Sequence, residues 1–152
     1  MLCKPPCLVP EFDVSALDRS MVFYTTTLGF SIAFQRAEER FAYLCREGAH
    51  LMLQEANGPG RRFRTAELQF PFGRGLNLQI EVSDVIELYH AVTRAELSPV
   101  IELEERWYRQ AEIERGARQF VVADPDGYLL RFYSALGTRS VRERPGNIRS
   151  RH

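Results

Sequence analysis

The sequence predicts an α+β protein made of two βαβββ repeats, whose curved mixed sheets surround a cleft. Two similar stretches, Phe12–Leu17 and Ile80–Val85, each run from a short apolar strand through a serine into a helical pattern, 68 residues apart. The same order of predicted elements follows each stretch, which indicates an internal duplication. The length of 152 residues, 45% of them hydrophobic, suits a single domain of ordinary globular composition.

Each repeat is predicted to contain one helix with a single apolar face. Ser15 and Ser83 stand where a serine side chain commonly caps a helix. Apolar residues then recur at helical spacing, up to Gly29 in the first half and up to Ser98 and Pro99 in the second. A helix that is apolar on one face needs a sheet to cover it.

Three strands are predicted after each helix. They cover 30–34, 40–45 and 50–54 in the first half, and 100–103, 119–123 and 128–133 in the second. Turn-forming residues join the last two strands of each half, at Arg46–Gly48 and at Asp124–Gly127.

The predicted domain occupies residues 1–135, and a polar, arginine-rich tail follows at 136–152. The two halves cover about 8–56 and 73–135, and a linker rich in glycine, proline and asparagine joins them at 57–72. A four-stranded sheet with one helix buries only one face. Two such units side by side, or exchanged between chains, would enclose a cleft that suits a small molecule.

Charge and cysteine content exclude several classes of protein. Twenty basic residues balance twenty acidic ones, so the chain lacks the cationic excess that nucleic-acid and membrane-surface proteins carry. The apolar runs are much shorter than the roughly 20 residues that span a bilayer. The three cysteines lack metal-type spacing, and an odd count fits a reduced setting. We therefore expect a cytoplasmic protein without nucleic-acid or membrane partners.

Two motifs resemble a known superfamily over roughly residues 8 to 135. One is the strand-to-helix motif VSALDRSMVFYTTTLGF at 14–30, and the other is the final hairpin RQFVVADPDGYLLRF at 118–132. Both are similar to the glyoxalase, bleomycin-resistance and extradiol-dioxygenase superfamily, also called vicinal oxygen chelate. Its enzymes hold a divalent metal between the two sheets with His, Gln or Glu side chains from the first and last strands of each half.

The resemblance places those four ligand positions on residues that suit a metal poorly. Counting from the motifs gives Val9, Met52, Asn77 and Arg131. Valine has no lone pair, and an arginine is itself a cation that repels the ion. We therefore expect no metal, no other cofactor and no catalytic residue. A two-residue register shift would instead bring Glu11, Gln79, Gln54 or Glu55 inward, and this alternative stays open.

Metal-free members of the superfamily include the bleomycin-resistance proteins, which are small cytoplasmic homodimers that bind the drug without altering it. The chain resembles this type most closely, because Arg131 is a non-ligand and Pro10 lies in the first strand. The resemblance implies a homodimer in which the N-terminal strand is exchanged at Pro10. The alternative is a proline that begins an ordinary edge strand.

Strand alternation assigns a set of side chains to the cleft. Trp107 and Tyr108 join this set because, in the resembled proteins, a loop at this place closes over the ligand. The candidate ligand-binding residues are His50, Met52, Gln54, Asn77, Gln79, Trp107, Tyr108, Arg131 and Tyr133.

The sequence thus predicts antibiotic or small-molecule binding and sequestration, without metal or chemistry. The neutral chain and the arginine in the cleft favour an aromatic or anionic ligand over cationic bleomycin. Two alternatives remain: a metal-dependent enzyme of the same superfamily, and a metal-free regulatory or interaction protein with a vestigial cleft.

Overall fold

The computed structural model describes residues 4–141, and these form two mixed four-stranded sheets, each covered by one helix. The first half contains β1 (Glu11–Val14), α1 (Leu17–Met21), β2 (Ser31–Arg36), β3 (Phe41–Arg46) and β4 (Ala49–Glu55). The second half contains β5 (Asn77–Glu81), α2 (Val85–Arg94), β6 (Ile101–Gln110), β7 (Ile113–Ala123) and β8 (Leu129–Ser140). The predicted α+β class and its repeated βαβββ order are confirmed.

Strand order is the same in the two sheets. The first sheet runs β1-β4-β3-β2 and the second runs β5-β8-β7-β6. The first strand of each half pairs in parallel with the last, Glu11 opposite Met52 and Gln79 opposite Arg131, whereas the other pairs are antiparallel. The first and last strands of each half are therefore neighbours, so residues at these register positions lie close together on one face.

The helices begin differently from the prediction, and the first ends at Gly29 as predicted. Neither serine caps its helix with its side chain: Ala16 precedes α1 without a side-chain cap, and Asp84 caps α2 by accepting a hydrogen bond from the Glu87 amide. The first helix continues as a π-helix, Val22–Thr27, before Gly29 ends it at a φ of 74°. Phe23 and Tyr24, in this π-helix, are both buried.

One hydrophobic core joins the halves. Alternate residues of the central strands and the apolar faces of both helices form a single buried cluster. The rings of Phe12 and Tyr128 stack with centroids 4.0 Å apart, and the Tyr128 hydroxyl donates to the Asp13 carbonyl oxygen. The Tyr24 hydroxyl donates to Asp124 at 2.8 Å. The DPDG turn of the second half is thus fastened to the first strand and helix of the first half.

Strands β6, β7 and β8 are longer than predicted. The charged stretch Glu104–Arg109, expected between strands, belongs to β6, and β8 continues past the predicted boundary at 135 to Ser140. This extension carries polar cross-strand contacts, such as the ion pair of Arg118 and Glu105 at 2.6 Å, so it lacks the apolar alternation that identifies a buried strand. The rest of the predicted tail, 142–152, lies outside the described residues.

Strand β1 pairs with β4 of the same chain. The Met52 amide donates to the Pro10 carbonyl oxygen at 2.9 Å, and Pro10 immediately precedes this edge strand. Exchange of the strand between chains stays a prediction. In residues 4–141, no helix combines the length and the apolar character that crossing a membrane requires.

Candidate functional site

The second sheet carries a cavity of about 330 Å³ on the face opposite α2. Strands β5 to β8 all contribute side chains to it. Residues two apart along a strand project to the same face, so each strand presents alternate residues to the cavity. It is lined by Gln79, Glu81, Tyr108, Arg115, Gly116, Ala117, Gln119, Tyr133, Ala135, Gly137 and Thr138. We call this space the second-sheet cavity.

Arg131 lies beside the second-sheet cavity and contacts two residues that line it. Its Nη2 donates to Gln79 Oε1 at 2.6 Å, and its guanidinium carbon lies 5.9 Å from the centre of the Tyr108 ring. Its Nε is buried and has no hydrogen-bond partner among residues 4–141. No carboxylate of the described chain forms an ion pair with it. The guanidinium therefore brings a positive charge to the cavity with only an amide to accept its hydrogen bonds.

Two hydrogen-bonded tyrosines form much of the cavity wall. The Tyr108 hydroxyl donates to Gln119 Oε1 at 2.8 Å, and the Gln119 amide in turn donates to Glu104 at 3.2 Å. Hydrogen bonds from the Arg106 side chain and from Gln119 lower the pKa of Glu104. The Tyr133 hydroxyl donates to Glu81 at 3.3 Å. The tyrosine rings are thereby held by polar partners and present flat surfaces for a ligand.

Trp107 was predicted to line the cleft, and the structure places it on the opposite face of the sheet. Neighbouring residues of a strand point to opposite sides, so Tyr108 faces the cavity and Trp107 does not. The Trp107 ring packs against Gly116, and the Arg139 guanidinium stacks 4.1 Å from its centre. Arg139 also pairs with buried Glu114 at 2.8 Å. Trp107 therefore packs against the extension of the sheet.

The three candidates from β4 lie on the first sheet, away from the second-sheet cavity. His50 is buried with its Nδ1 2.9 Å from the Tyr43 hydroxyl, and it lines a separate hollow with Cys45 and Ser83. Gln54 is also buried and donates to the Glu39 carbonyl oxygen at 2.7 Å. Met52 is half-buried opposite Glu11. A single chain does not bring these side chains to those of the second sheet.

The predicted set therefore divides into separate groups. Gln79, Tyr108 and Tyr133 line the second-sheet cavity and Arg131 adjoins it, whereas Asn77 lines a neighbouring apolar hollow with Phe70 and Leu129. The prediction omitted Gln119 and Glu81. Side chains two apart on a strand share a face, so Val121 on β7 indicates Gln119 and Gln79 on β5 indicates Glu81. The far end, Ala135 to Thr138, was missed because the last strand was predicted to end at residue 133 and residues 136–152 were assigned to the tail.

The four residues at which the resemblance places the metal ligands do not fit a divalent cation. Val9, Met52 and Asn77 offer no charged donor, and Arg131 places a guanidinium at the fourth position. Among residues 4–141, no three or more His, Cys, Asp or Glu side chains are grouped so as to hold a metal ion.

The residues of the alternative register also have protein partners. Gln54 is engaged by the backbone, Gln79 by Arg131, and Glu55 by the Leu17 amide and Arg40. Burial, and then the neighbouring Asp13 carboxylate, raise the pKa of Glu11. The Asp13 carboxylate beside Glu11 is paired with Arg64 at 3.0 Å, and among residues 4–141 the two carboxylates belong to no group of three or more ligands, so we derive no metal chemistry from this site.

Two sheets of βαβββ order, joined through one core and carrying a cavity on an open sheet face, define an α+β protein built from two structural repeats. A family model for the Glyoxalase/Bleomycin resistance protein/Dioxygenase superfamily matches residues 12–132. The chain belongs to this superfamily. Comparison with curated protein sequences gives no significant match.

Solved structures with the same fold include proteins from several bacteria. TioX from Micromonospora sp. ML1 is 23% identical, with 85% of this chain and 98% of that chain covered and a TM-score of 0.67. A virulence protein from Salmonella typhimurium is 19% identical, with coverages of 87% and 98% and a TM-score of 0.63. A protein of unknown function from Agrobacterium tumefaciens str. C58 is 26% identical, with coverages of 88% and 97% and a TM-score of 0.62.

Proposed function

We propose that the protein binds a small molecule, an antibiotic or an aromatic metabolite, and sequesters it without metal or chemistry. The observation that carries this proposal is Arg131, which donates to Gln79 beside the second-sheet cavity and which the superfamily resemblance places at a metal-ligand position. A fixed guanidinium there repels a divalent cation and suits a ligand with acceptor atoms. The tyrosine walls supply apolar surface on which such a ligand packs.

We further propose that the functional unit is a homodimer in the cytoplasm. Four large side chains on the edge strands β2 and β6 are 42–45% exposed: Ile32, Phe34, Ile101 and Tyr108. Phe34 also stacks on Tyr43, with ring centroids 5.0 Å apart, so part of the open face of the first sheet is aromatic. A second copy of the chain would cover these surfaces and would place its first sheet opposite the second-sheet cavity of this copy. Sedimentation equilibrium tests this, and a monomer at micromolar concentration contradicts it.

Calorimetric titration of the purified protein tests binding. The panel contains bleomycin, a β-lactam, a tetracycline and a fluoroquinolone, and the recovered drug is examined by mass spectrometry. We expect saturable binding of at least one compound and recovery of that compound unchanged. Conversion of the bound compound, or the absence of saturable binding across the panel, contradicts antibiotic sequestration.

Two further measurements make the test specific. Ala135→Phe fills part of the second-sheet cavity and should abolish binding, whereas Ala95→Phe, at the exposed end of α2, is the matched control and should leave binding unchanged. Elemental analysis after mild dialysis addresses the alternative of a metal-dependent enzyme. Stoichiometric nickel, zinc, iron or manganese would overturn the metal-free proposal.

A further inference from the structure

Two opposite charges adjoin the second-sheet cavity without a partner of opposite sign. Arg131 forms no ion pair with any carboxylate of residues 4–141, and its hydrogen bond to Gln79 involves a neutral amide. Glu81 lines the cavity and accepts only the Tyr133 hydroxyl at 3.3 Å, and no cation within the described range pairs with it. Both groups are thus available to a charged ligand.

Strand geometry places these two charged residues in neighbouring rows of one sheet face. Gln79 lies opposite Arg131, and Glu81 lies opposite Tyr133, on the parallel pair of β5 and β8. Residues two apart on one face of a strand are separated by about 7 Å. The guanidinium and the carboxylate therefore occupy neighbouring rows of the same face, and each is held by the residue opposite it, Gln79 or Tyr133, instead of by the other.

The other charged groups at this face are engaged or solvated. Glu104 forms an ion pair with Arg106 at 3.1 Å and accepts from Gln119. Arg115 lies toward the far end of the cavity, is exposed and donates to Gln110. Arg131 differs from Arg115 because it is half-buried, so water screens its charge less effectively.

We infer that the second-sheet cavity selects a dipolar aromatic ligand, with a carboxylate directed to Arg131 and Gln79 and an ammonium group directed to Glu81. This inference rests on the proposed binding function of the same cavity. A flat ring between the charged ends fits against the Tyr108 and Tyr133 rings, and a cavity of about 330 Å³ accommodates such a molecule. A planar carboxylate matches a guanidinium edge, and the hydrogen bonds it accepts are charge-assisted.

Four matched probes test the charge requirement. They are 4-(aminomethyl)benzoate, which has both charges; 4-methylbenzoate, which has the anion; 4-methylbenzylamine, which has the cation; and 4-methylbenzamide, which has neither. We expect 4-(aminomethyl)benzoate to bind at least tenfold more tightly than the amide, with each single-charge probe in between. Titrations followed by the backbone amide signals should place the largest shifts at Gln79, Glu81, Arg131 and Tyr133.

Charge-neutralising variants assign each end of the probe. Arg131→Gln should reduce the preference for 4-(aminomethyl)benzoate over 4-methylbenzylamine to less than twofold. Glu81→Gln should do the same for the preference over 4-methylbenzoate. Glu87→Gln and Arg94→Gln make the same chemical changes in an exposed ion pair on α2, and they should leave all four affinities unchanged.

The outcomes separate this inference from the binding proposal. Equal affinity for the four probes, or equal effects of the Arg131 and Arg94 variants, overturns the dipolar assignment. Loss of carboxylate preference in Arg115→Gln but not in Arg131→Gln also overturns it, because the anion would then lie at the far end of the cavity. The drug panel decides the binding proposal separately, since saturable binding of cationic bleomycin in this cavity supports sequestration while contradicting selection of a ligand that carries a carboxylate.

Discussion

At the scale of single residues, Gly127 shows how one backbone position fixes the joint between the halves. It has a φ of 96° in the DPDG turn, and a Cβ built on it would lie 2.5 Å from the Pro71 Cβ. Gly48 has a similar φ of 90° in the turn between β3 and β4, but no atom lies within 4 Å of its Cβ position. The two glycines share a conformational requirement and differ in crowding.

We predict that Gly127→Ala destabilises the protein more than Gly48→Ala does. Both changes force an L-residue into the left-handed region, which costs roughly 1–2 kcal/mol. Only Gly127→Ala also pushes against the linker, and overpacking costs about 1–3 kcal/mol more. Urea unfolding of the two variants measures the difference. Equal losses of stability would show that Pro71 and Phe72 move away without cost.

At the scale of elements, the first helix depends on a carboxylate that is distant in sequence. The Leu17 amide donates to Glu55 Oε2 at 2.9 Å, and Arg40 donates to the same oxygen at 3.0 Å. Ser15, the residue expected to cap the helix, instead donates from its amide to Asp126 of the second half at 3.0 Å. The last residue of β4 therefore satisfies the open end of α1.

We predict that Glu55→Ala destabilises the fold by about 1 kcal/mol, the usual cost of losing a helix cap. Hydrogen bonds from Arg40 and from the Leu17 amide lower the pKa of Glu55, so its stabilising effect is present above the ordinary glutamate pKa and is lost as the pH falls through the lowered value. The variant should thus approach the parent in stability under acid. Glu87→Ala is the exposed control, and thermal unfolding at pH 7 and pH 3 is the measurement.

The elements that the sequence predicted well share a local signal. Apolar alternation located the core strands, because one face of each is buried. Glycine located the turns at Gly48 and Gly127, because both positions have a positive φ. Glu55 was not recognised as a cap, because its partner is 38 residues away. The extension of β6 was missed because its strand is held by polar pairs. Trp107 lies away from the second-sheet cavity because a segment expected to be a loop is a strand, whose alternation turns the ring to the other face.

At the scale of the whole molecule, the two halves meet through a small buried polar joint. Asp124 is 4% exposed and accepts hydrogen bonds from the Tyr24 hydroxyl and from the amides of Asp126 and Tyr128. Burial raises the pKa of Asp124, while the bond from Tyr24 opposes this rise. Burial, followed by the Asp124 charge, also raises the pKa of Tyr24 well above its usual value. The stability of this joint therefore depends on the hydrogen bonds that are donated to the buried Asp124 carboxylate.

We predict that Tyr24→Phe weakens the whole fold in a pH-dependent manner. The variant keeps the ring and leaves one carboxylate oxygen of Asp124 without its donor, which costs about 1–3 kcal/mol. A carboxyl group whose pKa is raised in the folded state contributes stability at low pH, and that contribution is lost as the pH rises through the raised pKa. The hydrogen bond from the Tyr24 hydroxyl lowers the pKa of Asp124, so its loss raises that pKa further. The loss of unfolding free energy should therefore be larger at pH 7 than at pH 4.

Urea unfolding at both pH values, followed by far-ultraviolet and near-ultraviolet circular dichroism, measures this penalty. Tyr133→Phe is the matched control because it removes a tyrosine hydroxyl from an exposed hydrogen bond to Glu81, and it should change stability by less than about 0.5 kcal/mol. Since one core joins the halves, we expect a single transition with both probes. Two separated transitions in Tyr24→Phe would show that the halves fold independently and that the joint only orients them.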